Sequence, residues 1–258
     1  MIATVVVVMM GVAFWYYRSP QRLAEPAELG DTDWLALLHS QNPSVAEDAA
    51  AELHELGTSA LPQVEAALSE PGTDLALRKA ALKASGLLGE KAAPLVPDVA
   101  RHLRDPRLTA EAAVALSFMG REAFAPLQEA ARMDDPVVRR EALRSIGKLR
   151  ERAPLDARAV VPLLLRGLAD EDAGVRAVAA TYLGILSEDA DAAVPDLIEA
   201  LDDEDAEVRA AAATALGSFG EAGTDAIPAL RRAASDPNED VSREAGLALV
   251  KLQSSSRK

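Results

Sequence analysis

Between Leu201 and Leu230 the apolar positions follow a helical period. Val208, Ala212, Leu216 and Phe219 recur at steps of four, four and three, which places them on one stripe of a helix. Asp203 and Asp205 lie just ahead of that run, where a helix start needs side-chain acceptors for its free N–H groups. Gly217 and Gly220 follow it and are predicted to let the chain leave the helix through positive φ. Pro228 lies early in a second helical stretch, where a missing N–H costs little. The stretch therefore predicts a helix–turn–helix unit. One such hairpin cannot bury its own stripe, so it needs neighbours.

The neighbours are written along the chain. The position of Val208 is matched by Val45, Leu77, Leu108, Val138, Val175 and Val241, spaced 32, 31, 30, 37, 33 and 33 residues apart. Four residues further on, the column is Ala49, Ala81, Ala112, Ala142, Ala179, Ala212 and Ala245, alanine in every copy. The Leu216 column holds Leu53, Ser85, Leu116, Ile146, Leu183 and Leu249, and the Phe219 column holds Leu56, Leu88, Met119, Leu149, Leu186 and Leu252. Seven copies with an unbroken alanine column predict an all-α solenoid of about six and a half helical hairpins, in which each unit covers the next.

The remaining segments divide as residues 1–17, 18–31, 32–252 and 253–258. Ile2 to Tyr17 carries no charge over sixteen residues and ends in Phe14, Trp15, Tyr16 and Tyr17, followed by Arg18 and Arg22. Apolar, then aromatic, then basic is the order of a membrane–water interface, and a helix of that length spans roughly 24 Å. The sequence therefore leads us to expect a single-pass N-terminal anchor, with the repeats on the cytoplasmic side by the arginine bias. A cleaved signal peptide, leaving a secreted or periplasmic protein, is the other reading of the same stretch. Residues 18–31, with Pro20, Pro26 and Gly30, read as a tether. Thr32 to His39 is expected to be a lone helical segment that covers the first unit's open end with Trp34, Leu35, Leu37 and Leu38. The last unit has a first helix and no second before the polar tail at 253–258.

Composition sharpens this picture. Hydrophobic residues make up 49% of the chain but aromatics only 3%, so small and aliphatic side chains build the core and let helix axes approach closely. With no cysteine, disulfides and thiolate metal sites are excluded. A net charge of −14 argues against nucleic acid as a partner, since a polyanion would be repelled. The charge is uneven. Residues 139–166 hold eight basic and three acidic side chains, whereas 170–207 hold thirteen acidic and one basic, Arg176. Between them the linker grows to RERAPLDARA, and insertions in repeats map to loops on one face.

Asp203 with Val208-Arg209, Ala215-Leu216-Gly217 and Ala226-Ile227-Pro228 resemble the HEAT repeat, in the short variety named for the phycobilisome-lyase family. Asp170, Val175-Arg176 and Val194-Pro195 repeat the likeness, and Leu77-Arg78 with Val96-Pro97 is a looser copy. The resemblance implies a scaffold for protein contacts, with first helices on the outer curve and second helices on the inner one. It also implies an aspartate–arginine ladder between units. Arg78, Arg139, Arg176 and Arg209 fill the arginine column, but the aspartate six residues ahead occurs only as Asp170, Asp203 and Asp236. Asn42, Asp74, Asp105 and Asp135 supply an acceptor four residues ahead instead. The ladder is therefore expected to be continuous in the C-terminal half and broken in the N-terminal half.

On the second helices the register buries Val96, Val99 and Leu103 and leaves Asp98 and Arg101 outward. It also buries Val161, Leu164 and Leu168 and leaves Leu163 and Arg166 outward. Gln63, Asp196, Glu199, Arg231 and Arg232 face outward in the same way, completing a candidate partner-binding surface. No catalytic constellation accompanies it. His39, His54 and His102 fall in different units, and His54-Glu55 is a single His-Glu dipeptide where deoxyhypusine hydroxylase, a HEAT-like di-iron enzyme, uses four. Nucleophile-elbow, phosphate-loop and dinucleotide motifs are missing. Asp202 and Asp203 read as helix-start carboxylates favoured by the dipole. The expected function is a membrane-tethered, non-enzymatic scaffold for protein partners, with no metal, cofactor or small-molecule substrate. The alternative is a regulatory or chaperone-like subunit of an enzyme complex, for example lyase-like.

Overall fold

In the computed structural model, residues 34–38, 40–153, 155–187 and 191–255 are described, and no strand occurs among them. The helices are, in chain order, α1 (Trp34–Leu37), α2 (Pro43–Leu56), α3 (Leu61–Ser69), α4 (Leu75–Leu88), α5 (Val96–Arg101), α6 (Thr109–Leu116), α7 (Phe124–Ala130), α8 (Pro136–Arg152), α9 (Ala157–Leu168), α10 (Ala173–Ile185), α11 (Val194–Glu199), α12 (Ala206–Leu216), α13 (Ile227–Ala233) and α14 (Glu239–Ser255). Even-numbered helices are the first helices of successive hairpins, and odd-numbered helices from α3 onward are the second.

Local chemistry sets the boundaries. The side chains of Asn42, Asp74, Asp135, Asp172 and Asp205 accept backbone N–H bonds at the starts of α2, α4, α8, α10 and α12, satisfying donors that have no intrahelical partner. Asp105 departs from this pattern. It binds the Arg107 guanidinium and N–H instead, and α6 starts with no side-chain cap. Pro62, Pro97, Pro195 and Pro228 open α3, α5, α11 and α13, as a residue without an N–H should. Gly220 makes a turn at φ +56°, whereas Gly217 stays in the right-handed helical region at φ −64°.

Gly217 has a different use. A Cβ there would lie 2.9 Å from the Ala248 Cα, and one on Gly184 would lie 2.6 Å from the Ala215 Cα. Glycine on one first helix therefore receives alanine from the next, and the axes come closer than any larger side chain permits. Gly147 uses the same gap to take the ring of Tyr182, whose Cδ1 would stand 2.0 Å from an added Cβ.

The predicted columns are the core. Every member of the alanine column is buried, and so are all members of the Leu216 column except Leu249, which is half-buried. Ser85 is tolerated in that column because its hydroxyl donates to the Ala81 carbonyl at 2.9 Å. One hydrophobic cluster runs from Trp34 to Leu252. At its start, Trp34, Leu35 and Leu38 are buried against α2 and α4, while Leu37 is exposed. The long linker is not simply a loop. It extends α8 to 17 residues and buries Ala153 and Leu155.

The expected single-pass anchor is not supported. Among the described residues no helix is long and apolar enough to cross a membrane. The longest, α8 and α14, have 17 residues each and carry charged side chains, short of the roughly 20 apolar residues a span requires. The stretch 2–17 itself lies outside the described residues, as does the tether. The cytoplasmic placement of the repeats rested on that anchor and goes with it.

Candidate interaction surfaces

Three arginines fix the spacing of the C-terminal units. Arg139 binds Asp170 through Nε at 2.8 Å and Nη2 at 2.7 Å, and its Nη1 donates back to the carbonyls of Met133 and Asp134 in its own loop. Arg176 repeats this with Asp203 and the carbonyls of Asp170 and Glu171. Arg209 repeats it with Asp236 and the carbonyls of Asp203 and Glu204. Each fork is bidentate and charge-assisted, so it sets both a distance and an orientation. Burial pushes the Asp170 and Asp203 carboxyls up, but the paired guanidinium and the next loop N–H outweigh it and hold both below the ordinary range. At Asp236 the Arg209 fork is the leading cause of the same depression. The helix-start reading of Asp203 is thus incomplete, because Asp205 caps the helix and Asp203 joins the units.

The ladder stops where expected. Leu103 stands where the partner of Arg78 would be, six residues ahead of Thr109. Arg78 donates only to the Glu70 carbonyl, and its buried Nε lacks an acceptor among the described residues. Other contacts join the N-terminal units. His102 Nε2 lies 3.1 Å from the Leu68 carbonyl, and Arg101 donates to Ser69 Oγ, which donates in turn to Asp98.

Along the second helices, Gln63, Arg101, Arg166, Asp196, Glu199, Arg231 and Arg232 are exposed as the register predicts. Asp98 is half-buried and bonded to Arg101, so these two neutralise each other. Leu163 is a correction, because it is only 7% exposed. The buried stripe of α9 comprises Val160, Leu163, Leu164, Gly167 and Leu168, with Val161 at its edge. That is an i, i+3, i+4, i+7, i+8 pattern counted from Val160, wider than the stripe expected from Val161 alone.

Where these helices end, two hollows adjoin, one presenting guanidinium groups among carboxylates and the other presenting carboxylates alone. One of about 500 Å³ is lined by Arg132, Met133, Asp134, Leu163, Arg166 and Glu171 among others. Arg132 and Arg166 are exposed and form no ion pair among the described residues. The next, about 310 Å³ between α9 and α11, is lined by Leu165, Leu168, Asp196, Glu199 and Asp203. The ladder residues Arg139, Asp170 and Asp203 form part of the walls, so the spacing of the hollows is the spacing of the units. The register gave Arg166, Asp196 and Glu199 singly. Their convergence depends on inter-unit geometry that no single repeat displays.

The first-helix side holds a feature the periodicity did not mark. Leu87, Val114 and Phe118 are 51%, 45% and 40% exposed and share a trough of about 390 Å³ between α4 and α6. The sequence signal was present: these are large apolar residues outside the buried columns. His54 is exposed, and no group of three or more His, Cys, Asp or Glu able to hold a metal occurs among the described residues. His39 is not among them.

The family model for HEAT repeats matches residues 124–201 and 194–257. No curated protein matches the sequence significantly. Several solved structures share the fold. The Escherichia coli protein YibA is 19% identical, with a TM-score of 0.58 over 83% of this chain and 80% of its own. The complex of CpcE and CpcF of phycocyanin lyase from Nostoc sp. PCC7120 is 22% identical, with a TM-score of 0.51 over 60% of this chain and 98% of that one. Kap95p, in a structure with RanGDP, is 16% identical, with a TM-score of 0.57 over 85% of this chain and 34% of its own. At these identities the likeness concerns the fold alone.

Proposed function

Since this chain belongs to the HEAT-repeat family, we propose that it is a non-catalytic scaffold that docks protein partners where its second helices end. HEAT repeats are protein-interaction scaffolds, and two neighbours of the same fold are described in complexes, CpcE with CpcF and Kap95p with RanGDP. The observation that carries the reading is the pair of adjoining hollows. Arg132 and Arg166 present unpaired guanidinium groups to one, and Asp196 and Glu199 present carboxylates to the next. A partner segment with an acidic group followed by a basic one complements both at once. Complementarity of that kind fixes register and steers encounter more than it adds affinity. The hollows also have apolar floors in Leu163, Leu165 and Leu168, onto which apolar side chains of the same segment can pack.

The test is a charge swap. The full chain is immobilised and proteins captured from a cell extract are quantified for the wild type, Arg132→Glu/Arg166→Glu and the control Arg243→Glu. The swap should reduce recovery of a bound protein by about tenfold or more, while the control leaves it unchanged. Circular dichroism checks that both variants remain helical. The same proteins, retained equally by the swap and the wild type, would overturn the reading.

A further inference from the structure

The trough between α4 and α6 lies on the first-helix side, away from the hollows above. Its floor is built by two small residues: a Cβ on Gly86 would stand 3.3 Å from the Ala115 Cα, so the two helices nearly touch there. Leu87, Val114 and Phe118 rise on its flanks, and apolar atoms dominate its lining. Most large apolar side chains of this protein are buried, so a convergence of three exposed ones is a feature of the surface and not scattered noise.

The charge around the trough is opposite in sign to that of the whole molecule. The chain carries −14. Yet the charged side chains that line the trough are Lys79 and Lys83 against Glu111. Lys79 is paired with Glu111 at 2.6 Å. Lys83 donates to the Leu38 carbonyl, which orients its ammonium without neutralising it. Arg152 places its guanidinium 4.3 Å from the centre of the Phe118 ring. Among the described residues, neither Lys83 nor Arg152 pairs with a carboxylate.

We propose that this trough docks an amphipathic helix of a partner protein whose apolar stripe is flanked by carboxylates. Two parallel first helices separated by small residues make a groove that accepts side chains at i, i+3, i+4 and i+7 spacing. Lys83 and Arg152 then meet acidic residues at the stripe's margins, a complementarity that neither a basic helix nor a neutral one offers. A small molecule fits less well, because such sites converge a few fixed polar groups on an enclosed cavity. Here the polar groups are long cations at the rim.

The experiment measures binding of the full chain to a fluorescent helical peptide of about four turns, with leucines at that spacing and glutamates beside them, against a matched peptide with lysines. The acidic peptide should bind at least about tenfold tighter, and its affinity should fall as the screening length shrinks from about 10 Å at 0.1 M salt to about 3 Å at 1 M. Leu87→Ser/Phe118→Ser should weaken it about tenfold or more, and the charge-only variant Lys83→Glu should weaken it with the trough's shape intact. Ile185→Ser, an equally exposed side chain two units away, should leave it unchanged. Arg132→Glu/Arg166→Glu should also leave it unchanged, which separates this surface from the hollows. Equal binding of the two peptides, or equal effects of Leu87→Ser/Phe118→Ser and Ile185→Ser, would overturn the proposal. So would sedimentation with phosphatidylserine vesicles, or self-association of the chain, that depends on Leu87 and Phe118 while the acidic peptide fails to bind.

Discussion

Replacing Arg176 by alanine removes the middle rung of the ladder. The side chain is 12% exposed and its partner Asp203 is 13% exposed. Its loss strips Asp203 of two charge-assisted bonds at 2.8 Å and the carbonyls of Asp170 and Glu171 of one bond each at 3.0 Å. Breaking a fully buried pair by deleting one partner costs about 3–5 kcal/mol, mainly from the charge left behind. Here Asp203 keeps some solvent and the Asp205 N–H. The cost should therefore be about 2–4 kcal/mol, at the lower part of that range and slightly below it. Arg243→Ala is the control, since that arginine and Asp240 are 57% and 68% exposed and such a pair contributes less than about 1 kcal/mol. Urea unfolding followed by circular dichroism reads both. Adding Asp203→Ala to Arg176→Ala should cost less than the sum of the singles by about 1–3 kcal/mol, because the double variant strands no carboxylate. Equal midpoints for Arg176→Ala and Arg243→Ala, or an additive double variant, would refute the ladder as a structural link.

Other outcomes follow from the same geometry. Gly184→Ala should destabilise by about 1–3 kcal/mol, because the new methyl would stand 2.6 Å from backbone on the next first helix. Gly246→Ala meets nothing within 4 Å and should stabilise by up to about 1 kcal/mol, so thermal melts of the two should shift in opposite directions. Ala179→Asp places an uncompensated charge in a fully buried column and should cost several kcal/mol, about 3 or more, while Asp191→Ala at an exposed site should cost under about 0.5 in the same urea titration. The depressed carboxyls of Asp170, Asp203 and Asp236 contribute stability that is present above their unfolded value of 3.8 and lost as pH falls through their folded values. An acid titration below that value should therefore loosen amides of α10, α12 and α14 before those of α4 in hydrogen exchange. Simultaneous loss would count against it.

The parts legible in the sequence were those that one repeat states and seven copies confirm. The Val208, Ala212 and Leu216 columns needed only helical periodicity, and the extent of the ladder needed only the presence or absence of an aspartate six residues before the arginine. What escaped depends on the neighbouring unit. Gly217 looks like a helix terminator until Ala248 is seen against it. Leu163 looks outward on an isolated α9, yet a helix with neighbours on several sides buries a wider arc than one docked on a single face. The long linker looked like a loop because its basic residues are not periodic, but Arg152 continues α8 and reaches the Phe118 ring of the preceding unit. The exposed trough escapes because Leu87 and Phe118, each two residues past the Leu216 column, converge with Val114 only when neighbouring first helices are packed side by side.

The claim that the second-helix ends form the docking surface is tested most directly by hydrogen–deuterium exchange of the full chain with and without a captured partner. Slowed exchange should concentrate in α7, α9 and α11 and the loops that follow them, around Arg132, Arg166 and Glu199. Slowing confined to first helices, with those segments unchanged, would contradict it.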